Sequence, residues 1–115
     1  MTTLEFYFLL FLGIQFFHSI EELTHNFHKK FPPLKMSFKF FLGFEIIFFG
    51  FWLLVYLLDT ITLRAILMNF FILLMLVNGF WHIVWWSVVK KYVPGLATAP
   101  VFVILFLYYY FQVLA

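Results

Sequence analysis

The sequence predicts an all-α polytopic membrane protein, a four-helix transmembrane bundle, and three observations carry that prediction. Of 115 residues, 66% are hydrophobic and only 10% charged, with Phe alone occurring 20 times; the mean hydropathy is +1.07. A water-soluble fold this small leaves much of its surface exposed and cannot hide so much apolar area. The apolar residues fall into four runs near the length of roughly 20 residues that a helix needs to cross the hydrocarbon. Finally, the lysines are confined to alternate connections between those runs.

The predicted spans cover residues 4–27, 37–58, 62–89 and 97–114 of a single domain, 1–115. Pro32 and Pro33 stop the first, because proline lacks the N–H a helix needs and restricts the residue before it. Asp59 and Thr60 offer capping oxygens in a tight turn between the second and third. Pro94 and Gly95 end the third, and Pro100 fits the first turn of the fourth. The opening MTTLEFYF lacks a basic n-region and carries Glu5, so the first span is expected to stay in the mature protein.

Positive charge sets the direction. Lys29, Lys30, Lys35 and Lys39 flank the first connection, Lys90 and Lys91 the third, and Arg64 alone the second. The positive-inside rule then places the first and third connections in the cytoplasm, with both termini outside, in the cell inner membrane. Tyr56 and the run Tyr108-Tyr109-Tyr110 fall toward the outer interface, where amphipathic rings are favoured. The lysine clusters read as topology signals rather than a nucleic-acid footprint. With no cysteine in the chain, disulfides, zinc–thiolate centres and cysteine nucleophiles are excluded.

Against this apolar background the stretch HSIEELTHNFH, residues 18–28, gathers three histidines and two glutamates. At about 1.5 Å per residue, Glu22 lies about 12 Å before Lys30, Glu45 about 12 Å beyond Ser37, and His82 about 12 Å before Lys90. Three spans thus place titratable groups at one depth in the cytoplasmic half. His18, Glu21, Glu22 and His25 share one helical face, and Asn78 and His82 are i, i+4 neighbours with Trp85 and Trp86 beside them. Glu45 shares its face with Phe41, Phe49 and Trp52. Ionisable groups inside a membrane are costly enough to face the bundle interior with partners.

A divalent cation would offset that cost, and mixed imidazole and carboxylate donors suit zinc, iron or manganese. His18, Glu22 and His82 are the expected metal ligands, with His25 a further candidate. Glu21 and Glu45 are the expected catalytic carboxylates, each also a candidate metal ligand, and Asn78 is placed to hydrogen-bond a ligand or substrate. Simpler readings stand beside these: solvated interfacial imidazoles for His25 and His28, interfacial anchoring for FWHIVWW, and interhelical hydrogen bonds for Gln15 and Asn69.

His18-Ser19-Ile20-Glu21-Glu22, the later NGFWH with Asn78 and His82, and Tyr92-Val93-Pro94-Gly95 occur in one order along the chain. In these elements the sequence resembles the family of small membrane proteins named for its HXXEE motif. The resemblance implies a membrane enzyme or metal-binding protein and supplies no substrate. Tyr92 reads as an interfacial anchor, while Pro94 and Gly95 turn the chain into the last span.

Two classes of function follow. One is an intramembrane metal-dependent enzyme, hydrolase or oxidoreductase, acting on a lipid-like substrate; H-E-x-x-H is absent, which disfavours a zinc peptidase. The other is a non-catalytic membrane protein, a carrier or accessory subunit with a buried His/Glu network. The partners expected are membrane lipids, a lipophilic small molecule, and a homo-oligomeric or larger membrane partner, with no nucleic acid.

Overall fold

The computed structural model describes residues 1–114, with the Leu114 side chain outside the description. Among them there are five helices and no strands: α1 (Thr3–Thr24), α2 (Phe27–Lys30), α3 (Phe38–Leu57), α4 (Arg64–Val89) and α5 (Ala99–Tyr109), the last continued by a π-helical segment, Tyr110–Leu114. Helices α1, α3 and α4 are long and apolar enough to cross a membrane, and Ala99–Val113 forms a shorter apolar helix.

Polar chemistry fixes the helix ends. A capping box opens α1: the Thr2 hydroxyl accepts from Glu5 N–H at 3.1 Å while Thr2 N–H donates to the Glu5 carboxylate at 2.8 Å, satisfying two otherwise orphaned donors. Its other end comes at Thr24, before the expected residue 27, because Asn26 adopts φ 63° and breaks the helix. Asparagine tolerates that left-handed geometry better than most residues. One helical turn, α2, then leads into Pro32-Pro33. Ser37 caps α3 by accepting from Phe40 N–H at 3.1 Å.

Between α3 and α4 the expected turn forms at Asp59 and Thr60, closed by Ile61 N–H donating to the Leu58 carbonyl at 3.3 Å, but the expected caps do not. Leu63 stands at the N-cap of α4, with no side-chain cap, so neither Asp59 nor Thr60 caps that helix. Arg64 instead reaches back to the carbonyls of Val55 and Tyr56 at 3.0 and 2.7 Å and to Glu5 at 2.9 Å. A cation there satisfies the orphaned carbonyls at the end of α3 and complements its dipole. Helix α4 ends at Lys90, in a left-handed conformation with φ 57°, four residues before Pro94. Pro100 lies in the first turn of α5, as expected.

The two chain ends meet at one end of the molecule. Tyr7 donates to Gln112, and Tyr109 donates to Asn69 while stacking edge-on against Tyr7 at 5.4 Å. Tyr109 is fully buried, whereas Tyr108 and Tyr110 face outward. At the opposite end both lysine-bearing connections come together, with Lys30, Lys35 and Lys91 lining one cavity of about 370 Å³.

A large apolar core built from Phe8, Phe11, Trp52, Phe71, Met75 and Phe102 fills the half near the chain ends, and a smaller one around Phe27, Phe41 and Trp85 fills the other. Helix α5 approaches α4 closely because position 79 is glycine: a Cβ there would lie 2.7 Å from the Ala99 carbonyl and 3.0 Å from Phe102 Cβ. Small residues serve this purpose at tight helix interfaces.

The distribution of polarity is inverted relative to a water-soluble protein. Phe17, Ile47 and Val88 are 65, 74 and 73% exposed, while His18 and His82 are wholly buried. An outer surface this continuously apolar needs an apolar medium.

Candidate metal centre

His18 and Glu22 stand one turn apart on the inward face of α1, and His82 faces them from α4. His18 Nε2 lies 3.1 Å from His82 Nε2 and 3.6 Å from Glu22 Oε2, and His82 Nε2 lies 3.3 Å from the same carboxylate oxygen. All three residues are buried. Phe102, Phe27 and Trp85 surround the two rings at centroid distances of 5.2 to 6.1 Å. Two imidazole nitrogens and a carboxylate oxygen therefore converge on one point in an apolar shell.

The spacing can be compared with coordination geometry. Three N/O donors about 2.0–2.1 Å from a tetrahedral metal stand about 3.3–3.4 Å apart. The observed edges of 3.1, 3.3 and 3.6 Å bracket that value. The group could hold a metal without rearrangement of the helices.

Glu21, next in sequence, points elsewhere. Its carboxylate accepts from the Tyr92 hydroxyl, from Ala97 N–H at 2.9 Å, and from Thr98 N–H and hydroxyl at 3.0 and 2.8 Å. The adjacent glutamates thus divide their work: Glu22 joins the histidines, and Glu21 fastens the 92–98 loop at the start of α5. Tyr92 lies outside the long apolar helices, and its phenol is pushed up from its ordinary pKa by desolvation and by the hydrogen bond to Glu21. It remains a donor at neutral pH.

Thr98 links this loop to the histidines. Its Oγ1 is 2.6 Å from His18 Nδ1 and 2.8 Å from Glu21 Oε1, with the Gly95 carbonyl at 3.2 Å. A hydroxyl has one proton, and both the carboxylate and the carbonyl can only accept. Thr98 must therefore accept from His18, which assigns the proton of neutral His18 to Nδ1 and leaves the Nε2 lone pair facing His82 and Glu22. This is the tautomer a ligand requires, held as outer-shell acceptors commonly hold metal-binding histidines. If the three residues hold a metal, Thr98→Val should weaken its binding about 10–100-fold while Thr98→Ser retains it, measured by competition with a chelator.

Glu45 enters from α3, buried, and accepts from the Ser19 hydroxyl. It lines the same cavity as Glu22, and two buried carboxyl groups facing one space favour a proton or cation shared between them. Ser19 in turn accepts from Gln15 at 3.1 Å, and Asn78 donates to Gln15 at 3.5 Å. A polar line thereby joins α4, α1 and α3 beside the histidine pair. His25 is exposed at the rim. Its Nδ1 lies 2.9 Å from the Glu21 carbonyl and its ring 5.3 Å from Tyr92, outside the His18–Glu22–His82 group. His28 is buried against Phe38 with Nδ1 unpartnered, rather than solvated.

Sequence reasoning did not single out Ser19 or Thr98. Isolated hydroxyl residues carry no periodic signal, although Thr98, two residues before Pro100, occupies the N-cap of α5, where threonine is common. Of the tryptophans expected beside His82, Trp85 is buried and Trp86 faces outward.

Residues 9–110 match the family described as "Protein of unknown function with HXXEE motif". No curated protein and no solved structure matches the chain.

Proposed function

The chain belongs to the HXXEE-motif family, and we propose that it is an integral membrane metalloprotein whose His18, Glu22 and His82 hold one divalent cation between α1 and α4. The observation that carries this reading is the convergence of two imidazole nitrogens and one carboxylate oxygen at metal-ligand spacing inside an apolar shell. Burying an unpaired ion costs several kcal/mol. Binding of a structural zinc ion contributes about 10–16 kcal/mol in small peptides, so a cation comfortably offsets the burial of Glu22.

The surrounding fold is a single four-span domain, 1–115, with α5 and its π-helical continuation as the fourth crossing. The paired chain ends and the facing lysine connections support that topology. Both termini then lie outside the cytoplasm, and the metal centre lies in the inner-leaflet half of the cell inner membrane.

The chemistry favoured is that of a metal-dependent hydrolase or oxidoreductase. A bound cation supplies Lewis acidity toward an oxygen substituent or water. The protein's own residues do the rest. Thr98, anchored by Glu21, keeps His18 Nε2 available. Glu45, whose partner Ser19 engages one oxygen, accepts or returns a proton beside the cation. Glu21 serves positioning, because both its oxygens are occupied by the 92–98 loop. Asn78 and Gln15 offer amides toward a substrate. A second, non-catalytic reading is favoured by one contact: the 3.1 Å His18–His82 approach is also a good N–H···N hydrogen bond in a metal-free polar network.

Elemental analysis of untagged, purified protein separates the two readings. The metal centre predicts about one ion per chain, and protein that is active in cells yet metal-free would overturn it.

A further inference from the structure

Between α3 and α4, roofed by the 31–36 connection, lies a cavity of about 520 Å³. Phe41, Phe44, Phe48 and Trp81 form its walls, and Gln15, Glu22, Glu45, Asn78 and His82 meet at its polar end. Leu34, Phe40, Phe44 and Val77 line it and are all more than half exposed, so its mouth opens through an apolar part of the exterior. Its volume falls in the range of about 300–1,000 Å³ typical of small-molecule sites.

We propose that this cavity binds a single-chain lipophile with an uncharged hydroxyl head, a long-chain alcohol entering from the bilayer. The apolar walls and mouth suit a hydrocarbon chain. The head group is specified by the polar end: Glu45 can accept the single proton of a hydroxyl, and the amides of Gln15 and Asn78 can donate to its oxygen. No lysine or arginine lines the cavity, so in the metal-free protein a carboxylate or phosphate head would meet Glu22 and Glu45 with no compensating cation. Seated this way, the hydroxyl lies beside His82 and Glu22. The assignment rests on the metal-centre reading for what happens to that hydroxyl, and on the cavity alone for binding.

The test uses the untagged full chain in lipid nanodiscs, a hexadecanol carrying a mid-chain diazirine, and mass-spectrometric mapping after irradiation. Saturable labelling is expected on the segments containing Phe41–Phe48 and Trp81, displaced by unlabelled hexadecanol. Val77→Trp and Leu34→Trp, both at exposed positions at the mouth, should reduce it to background without changing metal content. The matching carboxylic-acid probe should label chelator-treated, metal-free protein weakly. Labelling confined to outward faces on other helices, such as Phe17 and Ile104, or unaffected by both tryptophan variants, would overturn the site. Equal labelling by the acid would overturn the head-group assignment. Metal content is read on the same samples. Metal-free protein that labels saturably sinks the metal centre and leaves the pocket, whereas metal-loaded protein that does not label does the reverse.

Discussion

Alanine in place of His82 is expected to strip the metal from the purified protein. His82 supplies one of three donors and the only one from α4, so its removal leaves His18 and Glu22 on one helix with no opposing ligand. The loss should exceed the roughly 10–100-fold drop caused by changes one shell further out. His82 is also fully buried, and truncating a buried side chain of that size costs about 2–5 kcal/mol. Thermal unfolding with and without added metal separates the two effects: wild type should be stabilised by the metal, and the variant should not respond. His25→Ala serves as the control, since that imidazole sits at the rim against Tyr92 and the Glu21 carbonyl. It should keep its metal. A His82→Ala protein with wild-type metal content would show that the imidazole is no ligand.

Gly95→Ala is expected to be nearly as damaging without removing a donor. Gly95 has φ +96°, and a Cβ at that position would stand 2.6 Å from His82 Cε1 and 2.7 Å from His18 Cε1. Both contacts fall on ring atoms in the packed site. The loop cannot simply retreat, because Glu21 holds it through Tyr92, Ala97 and Thr98. Backbone strain of about 1–3 kcal/mol and overpacking of about 1–3 kcal/mol should act together, lowering the unfolding midpoint and the metal affinity in one step. Gly13→Ala is the counter-test, since nothing lies within 4 Å of an added Cβ there. Alanine in that helical position should stabilise by about 0.5–1 kcal/mol. If Gly95→Ala unfolds and binds metal like wild type, the loop does not press on the histidines as the structure shows.

The geometry at Gly95 explains why the Tyr-x-Pro-Gly element is built as it is. Read from sequence, Tyr92 is an interfacial anchor and Pro94-Gly95 a turn. In the structure the same residues form a cover over the histidine pair: Tyr92 donates to Glu21, and Gly95 supplies the only kind of residue thin enough to pass between the two rings and the α5 cap. A turn signal is local and therefore visible in sequence. The ring it lies against, 13 residues earlier in α4 and 77 earlier in α1, is not.

Other parts of the fold were legible for definite reasons. The apolar runs specify helices because their length and composition repeat over 20 residues or more, which irregular local features do not disturb. The common depth of Glu22, Glu45 and His82 was legible because helical rise is uniform, and the structure brings Glu22 to His82 and Glu45 to Glu22. Helix ends were less so. Asn26 and Lys90 stop their helices through left-handed backbone, a choice made by the turn each must serve. Asp59 and Thr60 look like caps, yet Arg64 ties the start of α4 to Glu5 and the end of α3, a long-range arrangement that no neighbouring residue announces. The separate fates of Glu21 and Glu22 depend on where the 92–98 loop arrives.

X-ray absorption at the metal edge, on untagged protein in lipid, reads the ligand shell itself. A first shell of nitrogen and oxygen at about 2.0–2.2 Å is expected, with the outer-shell scattering of two imidazoles, and no metal edge in His82→Ala. A shell without imidazole, or no metal edge in the wild type, would contradict the metal centre.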